Sequence, residues 1–494
     1  MKEALNLYLE HRKKLIAQQY VDFVISWDMQ TDAAPKSVEF DSEQMGVISQ
    51  YNYELQTDAA FENAVETLYQ HLDDLDDVLR HEIEVMHKSI SDTKKIPVEE
   101  YAAFSQLTSG AYPVYVKAKR ENNFELFRPY LEKIVEFCRK QTKWLETDTV
   151  KGYDVLLDMY EPRYTQEKYD AFFDLLKKKL VPFVKKVTKN VQPVPAWATM
   201  EFPIDKQIEF CEYLRDVLCF DKSRGIMKQS EHPFTSGFGT EDVRITNHYH
   251  LNNFVSSIFS VIHETGHALY EQQCDKSLNG TLSGGGASLG LHESQSRFYE
   301  NMIGRSTAFW DVHYAKLQEL FPTQLANVSL DEFMQYVNRA ECSLIRTEAD
   351  ELTYSLHVML RYEIEKKLID GSLAVADLPT YWNEKMQEYF GITPPSDTMG
   401  VLQDVHWSYG NFGYFPTYAL GSAIAAQLYH HLNCDMDVEE YLLGGNTREI
   451  NQWLANRIHK YGSSKYPDEI LKLAIDEEFC ADYYVDYLIA KYEK

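Results

Sequence analysis

His263 and His267 are four residues apart in the segment HETGH, which covers residues 263–267. Residues four apart on a helix share one face, so both imidazoles could reach the same metal ion. Glu264 is offset by about 100° around the helix and could approach a metal-bound water without being a ligand. A catalytic metal lowers the pKa of that water to about 7, and a carboxylate can then act as general base. The motif therefore indicates metal-assisted hydrolysis, and Gly266 would let a strand or a substrate approach the helix closely.

The third ligand of such a metal must come from elsewhere in the chain. Glu293 is the stronger candidate, because it follows the turn-rich stretch SGGGASLG and opens a second helical pattern. A helix–loop–helix could bring it opposite the histidines, and two histidines with one glutamate form an established catalytic set. His292 and Glu300 stay open as alternatives. Glu271 is less favoured, because it continues the histidine stripe along the helix axis.

The segment QDVHWSYGNFGYFPTYALG, residues 403–421, concentrates neutral hydrogen-bond donors that could stabilise the oxyanion of a tetrahedral intermediate. These donors are His406, Tyr409, Tyr414 and Tyr418. Aromatic residues at loose helical spacing are more often core residues, so that interpretation stays open for each tyrosine. An arginine fork would match a free substrate carboxylate. The candidates are Arg244, Arg297 and Arg346, each of which could instead form an ordinary ion pair.

The elements that must position these residues are mostly helices. The segment 164–189 keeps apolar residues at spacings of three and four, as an amphipathic helix requires. Ser329 and Glu332 form a capping-box pattern, and the helical periodicity that follows continues to Gly371. Strand-like sequence is confined to residues 235–252, just before HETGH. We therefore predict one mainly α unit over residues 1–494, possibly in two lobes, with a small β element.

Composition excludes several classes of function. The 494 residues carry 49 basic and 76 acidic side chains, a net charge of −27, which argues against nucleic-acid binding and docking to anionic membranes. No run of 18 apolar residues predicts a membrane span. The first 20 residues carry charges throughout and lack the apolar stretch of a secretory signal. The seven scattered cysteines form no CxxC pair, so we expect a cytoplasmic protein.

The chain resembles the carboxypeptidase Taq family of thermostable metallocarboxypeptidases over nearly its whole length. The resemblance rests on blocks in a fixed order: WDMQT at 27–31, HPF at 232–234, DVRIT at 242–246, HETGH at 263–267, HESQS at 292–296, IRTEAD at 345–350, QDVHW at 403–407 and GYFPTY at 413–418. One departure is Ala34 before Pro35, where the family commonly has Met, and it leaves the HETGH segment untouched.

The resemblance implies a large helical metallopeptidase fold with a long, deep groove, usually assembled as a homodimer. It also implies a metal-dependent exopeptidase that removes single residues from peptides with a free C-terminus. The specificity of this activity would be broad, with proline generally not accepted at that end. Zinc is the expected ion, one per chain, and cobalt is a possible substitute.

Carried over by position, the resemblance also implies roles for individual residues. It implies the metal ligands His263, His267 and Glu293, with Glu264 as general base. It further implies an oxyanion site formed by His406 with Tyr414 or Tyr418, a carboxylate anchor at Arg346, and a second contact at Arg244.

Two other functions are compatible with parts of the sequence. A groove-bound oligopeptidase or dipeptidyl carboxypeptidase would share the helical architecture and the two-histidine, one-glutamate site. A non-enzymatic helical scaffold with a structural metal is disfavoured, because structural zinc sites usually have four ligands rich in cysteine. Cys274 is the one cysteine near HETGH.

Overall fold

The computed structural model describes residues 1–493, with the side chains of residues 38 and 39 left out. It is mainly helical and contains a three-stranded sheet, which confirms the predicted mainly α fold with a small β element. Within residues 1–493, none of the helices combines the length and the apolar character that crossing a bilayer requires.

The helices in the first half of the chain are α1 (Lys2–Thr31), α2 (Val38–Gln56), α3 (Ala59–Tyr69), α4 (Asp77–Lys95), α5 (Val98–Glu121), α6 (Phe124–Leu145), α7 (Tyr153–Asp158), α8 (Gln166–Val187) and α9 (Ile204–Val217). Those in the second half are α10 (Phe254–Gln273), α11 (Leu289–Arg297), α12 (Thr307–Leu320), α13 (Pro322–Leu325), α14 (Leu330–Val337), α15 (Glu351–Asp370), α16 (Leu378–Phe390), α17 (Pro416–Asp435), α18 (Val438–Leu443), α19 (Arg448–Arg457), α20 (Pro467–Ile475) and α21 (Asp482–Tyr492). Short 3₁₀ helices include Arg346–Glu348 and His406–Tyr409, and a π-helical turn covers Phe298–Ile303.

The sheet consists of β1 (Met227–Gln229), β2 (Thr235–Gly237) and β3 (Val243–Asn247), in the order β1-β3-β2. β3 pairs in parallel with β1 and antiparallel with β2. The predicted β region at 235–252 thus contains β2 and β3, whereas β1 lies outside it. β1 was missed because three residues are too few to show an alternating pattern.

The chain divides into two compact units. The first comprises residues 1–93, 194–337 and 428–479, and the second comprises residues 94–193, 338–427 and 480–494. In the first unit α10 packs against α9, α11 and the sheet. In the second unit α15 packs against α6, α8 and α16 and is buried along almost its whole length.

Most helices follow from local sequence. The segment 164–189 forms α8, whose N-cap Thr165 accepts a hydrogen bond from the N–H of Lys168. α14 begins with the predicted capping box, in which the Ser329 N–H donates to Glu332 Oε2 and the Glu332 N–H donates to Ser329 Oγ.

The helical pattern that begins at Ser329 does not continue to Gly371, contrary to the prediction. α14 ends at Val337, and α15 begins only after Asp350, whose carboxylate caps the N–H groups of Leu352 and Thr353. The intervening residues 338–350 contain one 3₁₀ turn, which carries Arg346. The local period of 3.6 did not reveal this break, because apolar residues on both sides of it keep a helical spacing.

Candidate active site

The HETGH segment lies on α10 in the first unit, and the imidazole centroids of His263 and His267 are 4.9 Å apart. Gly266, between them, allows α11 to cross closely. A Cβ at this position would lie 2.7 Å from the carbonyl oxygen of Gln295 and 2.8 Å from Cα of Ser296. A helix therefore occupies the space that we predicted for a strand or a substrate.

Glu293 lies on α11, which Ser288 caps by accepting a hydrogen bond from the Leu291 N–H. Its Oε2 atom is 3.7 Å from Nε2 of His263 and 3.6 Å from Nε2 of His267. Two ligands bound about 2.1 Å from one ion at a tetrahedral angle would be about 3.4 Å apart. The three ligand atoms all lie within 4.8 Å of one another, so the two imidazoles and the carboxylate fit a divalent metal ion.

The carboxylate of Glu293 is held in its ionised form. Burial opposes this charge, but Arg297 and the two imidazoles outweigh it and keep the pKa of Glu293 well below its usual range. Arg297 Nε donates to Glu293 Oε1 at 2.7 Å, which leaves Oε2 directed at the histidines. Burial and the neighbouring imidazoles lower the pKa of His267 to about 3, so this ring is neutral, as a metal ligand must be.

Glu300 lies behind His263 rather than beside Glu293. Its Oε2 is 2.9 Å from Nδ1 of His263, the ring nitrogen that faces away from Glu293. Arg297 and Arg305 donate to the same carboxylate at 3.1 and 3.2 Å. Glu300 belongs to the π-helical turn that follows α11, and it orients the imidazole through Nδ1–H.

His267 has a different support, formed by His292 and Glu271. The Nδ1 atoms of His267 and His292 are 2.6 Å apart, and Nε2 of His292 is 2.8 Å from Oε1 of Glu271. One proton per ring satisfies both contacts when His267 Nδ1–H donates to His292 and His292 Nε2–H donates to Glu271. The structure thus places His292 and Glu271, two of the other ligand candidates, behind the histidine pair.

Glu264 lies beside His263 and is 6% exposed. Burial raises the pKa of its carboxyl above the usual value, against the opposing effects of His263 and Thr235. Thr235 Oγ1 lies 2.6 Å from Oε2 of Glu264 and 3.0 Å from its backbone oxygen. Thr235 belongs to β2, so the edge of the small sheet fixes the orientation of this carboxylate.

Arg244, on β3 of the first unit, has a carboxylate partner within the protein. Its Nε and Nη2 donate to Asp242 at 2.8 and 2.6 Å. Its guanidinium lies 4.8 Å from the ring centroid of Phe23 and 5.6 Å from that of Trp27 in the WDMQT block. Two of its donor positions are therefore already used.

Arg346 is buried in the second unit, on the 3₁₀ turn before α15. Its Nε and Nη2 donate to Asp404 Oδ1 at 3.1 and 2.9 Å, and its Nη1 donates to the hydroxyl of Tyr354 at 3.1 Å. The guanidinium lies 4.9 Å from the ring centroid of Tyr418.

His406, Tyr414 and Tyr418 form a cluster in the second unit with Arg346. His406 Nε2 is 3.4 Å from the Tyr418 hydroxyl, and its ring centroid is 5.3 Å from that of Tyr414. Burial, followed by repulsion from Arg346, lowers the pKa of His406 to about 4. The ring is therefore a neutral hydrogen-bond donor at neutral pH.

The structure thus brings most of the predicted site residues together in two groups, one in each unit, whereas Arg244 on β3 pairs with Asp242 and belongs to neither group. The first contains His263, Glu264, His267 and Glu293, and the second contains Arg346, His406, Tyr414 and Tyr418. Sequence reasoning missed the supporting roles of Thr235 and Asp404. Arg297 could have been placed beside Glu293 from its spacing of four residues, but no local pattern links Thr235 to Glu264.

Comparisons with known proteins match nearly the whole chain. The family model for carboxypeptidase Taq (M32) metallopeptidases matches residues 8–492. Carboxypeptidase 1 of Bacillus subtilis is 42% identical over 472 residues, which cover 95% of this chain and 94% of that protein. Thermostable carboxypeptidase 1 of Pyrococcus furiosus is 35% identical over 499 residues, which cover 99% of this chain and 98% of the relative.

A solved structure matches the fold of the whole chain as well. Metallocarboxypeptidase 1 of Trypanosoma cruzi superposes with a TM-score of 0.95 at 33% identity, covering 100% of both chains. These matches confirm the resemblance that the sequence blocks indicate and imply a divalent metal. The chain belongs to the carboxypeptidase Taq (M32) metallopeptidase family.

Proposed function

We propose that this M32 metallocarboxypeptidase removes single residues from the free C-terminus of peptides with broad specificity. The observation that carries the proposal is that Glu293 Oε2 lies 3.7 Å from His263 Nε2 and 3.6 Å from His267 Nε2, next to a buried glutamate. We assign the first three residues as metal ligands and Glu264 as general base.

Zinc is the ion that we propose for the site, with cobalt as a functional substitute. Two imidazoles and one carboxylate match the donor set of catalytic zinc sites. When bound, the ion supplies a Lewis acid that activates water and polarises the scissile carbonyl. Arg297 keeps Glu293 ionised for this purpose, and Glu300 and His292 orient the two imidazoles.

Glu264 takes the proton from the attacking water and delivers it to the leaving amine. Its burial raises the carboxyl pKa, which makes it a stronger base than an exposed glutamate. The Thr235 hydroxyl donates to Oε2 and thereby fixes one carboxylate oxygen while the other exchanges the proton.

The edge strand β2 suits an extended peptide substrate. The Thr246 N–H of β3 donates to Phe234 O, and the Phe238 N–H donates to the oxygen of Asp242 just before β3. By alternation, the backbone groups of Thr235 and Gly237 face away from β3. A peptide that pairs with these groups would lie beside the Thr235 side chain, which contacts Glu264.

For the second unit, we propose that His406 and one of Tyr414 or Tyr418 donate hydrogen bonds to the oxyanion. The neutral state of His406 supports this role, because its ring N–H can donate without carrying a charge. Arg346 would anchor the substrate carboxylate, with Arg244 as a second contact. Both arginines already bind an aspartate, so the carboxylate would add to these pairs or displace them.

We also propose that the whole chain is one peptidase domain, that it works as a homodimer, and that it is cytoplasmic. The family match to residues 8–492 supports the first point, and the family resemblance supports the second. The seven cysteines are free thiols in the structure, which supports a reducing compartment. Sedimentation velocity tests the dimer directly.

The experiment that tests the activity is timed mass spectrometry of a mixed peptide digest, with and without a chelator. We expect ladders that shorten by one residue from the C-terminus and stop when the metal is removed. A matched set of C-terminally amidated peptides is the control. Internal cleavage of the amidated set would indicate an oligopeptidase, and release of dipeptides would indicate a dipeptidyl carboxypeptidase.

A further inference from the structure

Helix α15 of the second unit carries two fully buried charged groups one turn apart, Arg361 and Glu365. Their spacing of four residues places them on the same face of the helix. A buried charge is costly unless polar partners surround it. Neither residue has a role in the proposed chemistry, so their partners indicate what they do.

Arg361 binds the beginning of the segment that contains His406. Its Nε donates to Asp404 Oδ2 and its Nη2 donates to Gln403 Oε1, both at 2.7 Å. Its Nη1 donates to the backbone oxygen of His357 on α15 itself. These bonds fix residues 403 and 404 relative to the helix.

Glu365 binds the same segment at two later points. Trp407 Nε1–H donates to Oε1 at 2.7 Å, and the Gly413 N–H donates to Oε2 at 2.8 Å. Trp407 directly follows His406 in sequence, and Gly413 directly precedes Tyr414. The Tyr153 hydroxyl donates to Oε2 as well, at 2.6 Å, and holds the carboxylate from the side of α7.

The backbone at Gly413 leaves little freedom for another arrangement. Its φ is +90°, and a Cβ here would lie 2.5 Å from the carbonyl oxygen of Leu156 on α7. The chain therefore passes between α7 and Glu365 with room only for a glycine. The hydrogen bond from the Gly413 N–H to the Glu365 carboxylate fixes the backbone position from which Tyr414 extends.

We infer that Glu365 is a positioning residue that holds His406 and Tyr414 in place through Trp407 and Gly413. The inference rests on the proposed function, because it presupposes that these two side chains contact the reacting atoms. Three donors converge on Glu365, and a carboxylate offers acceptors alone. A glutamine of the same shape would direct an N–H group at one of these donors.

The protonation of Glu365 provides a second readout. Burial raises its pKa to about 7, although the bonds from Tyr153, Gly413 and Trp407 and the charge of Arg361 oppose this rise. The titratable and charged groups that face it are Arg361 on α15, Cys138 on α6, Tyr153 on α7 and Tyr160 just after α7. The indole N–H resonance of Trp407 should therefore titrate with a midpoint near pH 7.

The test compares Glu365→Gln with the matched control Glu363→Gln. Glu363 lies on the same helix but pairs with the side chains of Lys177 and Lys385. We expect Glu365→Gln to lower kcat by about tenfold or more with KM changed less than twofold, since misplacement of a catalytic group acts on the chemical step. Metal content should stay unchanged, the Trp407 indole resonance should shift and lose its titration, and Glu363→Gln should match the parent protein.

A parallel variant, His406→Gln, distinguishes the proposed role of His406 from the positioning role of Glu365. If it loses kcat while folded Glu365→Gln keeps kcat, the positioning role is overturned. If His406→Gln itself keeps kcat, the proposed role of His406 fails, and with it the functional part of the inference. If Glu365→Gln does not fold, Trp407→Phe removes a single donor. Parent-like kcat in that variant would overturn the inference, and a reduced kcat with unchanged KM would support it.

Discussion

The two groups of candidate site residues are positioned in different ways. In the first unit, His263, His267 and Glu293 lie on the regular helices α10 and α11. In the second unit, His406 lies on a short 3₁₀ helix and Tyr414 on the irregular segment that follows it. Tyr418, at the beginning of α17, is the exception in the second group. The helix-borne residues obtain their geometry from repeated backbone hydrogen bonds, whereas the loop-borne residues His406 and Tyr414 depend on individual side chains.

The difference lies in where the buried charge is placed. In the first unit, Arg297 and Glu300 orient the side chains of Glu293 and His263, whose backbone positions the helices already fix. In the second unit, the charged groups bind the loop itself. Arg361 binds Asp404, and Glu365 binds Trp407 and the backbone N–H of Gly413. We conclude that a polar contact has a larger structural consequence where the backbone is not fixed by its own hydrogen bonds.

The largest effect on activity is expected in the first unit, at Glu264 on α10. We expect Glu264→Gln to lower kcat by about 10³- to 10⁴-fold, because the amide cannot accept the proton from water. Metal content and fold should be unchanged, which metal analysis and circular dichroism would check. Retained turnover would contradict the assignment of the general base.

Loss of the third ligand candidate should appear in metal affinity. Glu293→Ala should weaken binding by about 10²-fold or more, since apparent zinc-binding energies of about 10–16 kcal/mol are shared among a few ligands. Competition with a chromophoric chelator measures the constant. Unchanged affinity would transfer the ligand role to His292 or Glu300.

In the second unit, the buried Glu365 predicts an unusual pH dependence of stability. Because burial raises the pKa of Glu365 to about 7 from its usual 4.5, the folded chain holds a proton that the unfolded chain releases. This contribution to stability is complete below about pH 4.5 and is lost as pH rises through 7, a change of about 3 kcal/mol. Denaturation of the parent protein and Glu365→Gln between pH 5 and 8 measures the difference.

Asp404 is expected to have the opposite pH dependence to Glu365, because its pKa is shifted in the opposite direction. Burial opposes its charge, but Arg361 and Arg346 outweigh burial and hold its pKa well below the usual range. Its contribution is therefore present above pH 4 and is lost as pH falls further. A parent-minus-variant stability difference that rises between pH 5 and 8 would contradict the environment described for Glu365.

The anchoring role of Arg346 predicts a change in binding. We expect Arg346→Ala to raise KM for peptides with a free C-terminus by about 10- to 100-fold, the range of a charge-assisted hydrogen bond. The control is the inhibition constant of an amidated peptide of the same sequence, which should change little. An equal loss for both peptides would assign Arg346 to holding Asp404 alone.

The smallest effect is expected at His292, to which we assign the support of His267 rather than a place among the metal ligands. His292→Phe should weaken metal binding by about tenfold, because loss of such an outer contact frees the orientation of His267. The same chelator titration measures this change. A loss as large as that of Glu293→Ala would show that His292 itself binds the metal.

The helical fold and the location of the candidate metal centre were readable from local patterns. The HETGH spacing, the α8 periodicity and the capping box at Ser329 all depend on residues within a few positions of one another. The break between α14 and α15 was not readable in this way. Neither was the role of Gly266, which is set by a helix crossing with residues about 30 positions later.

The sequence by itself determined that two imidazoles share a helical face with a glutamate beside them, because the 3.6-residue repeat fixes such neighbours whatever surrounds them. It left Glu293, His292, Glu300 and the less favoured Glu271 as candidates for the third position, and only the tertiary structure shows that Glu293 lies with both imidazoles while Glu300 and His292 contact their outer nitrogens. That choice depends on how α11 and the following π-helical turn cross α10. A crossing angle arises from packing between distant segments, which no local repeat encodes.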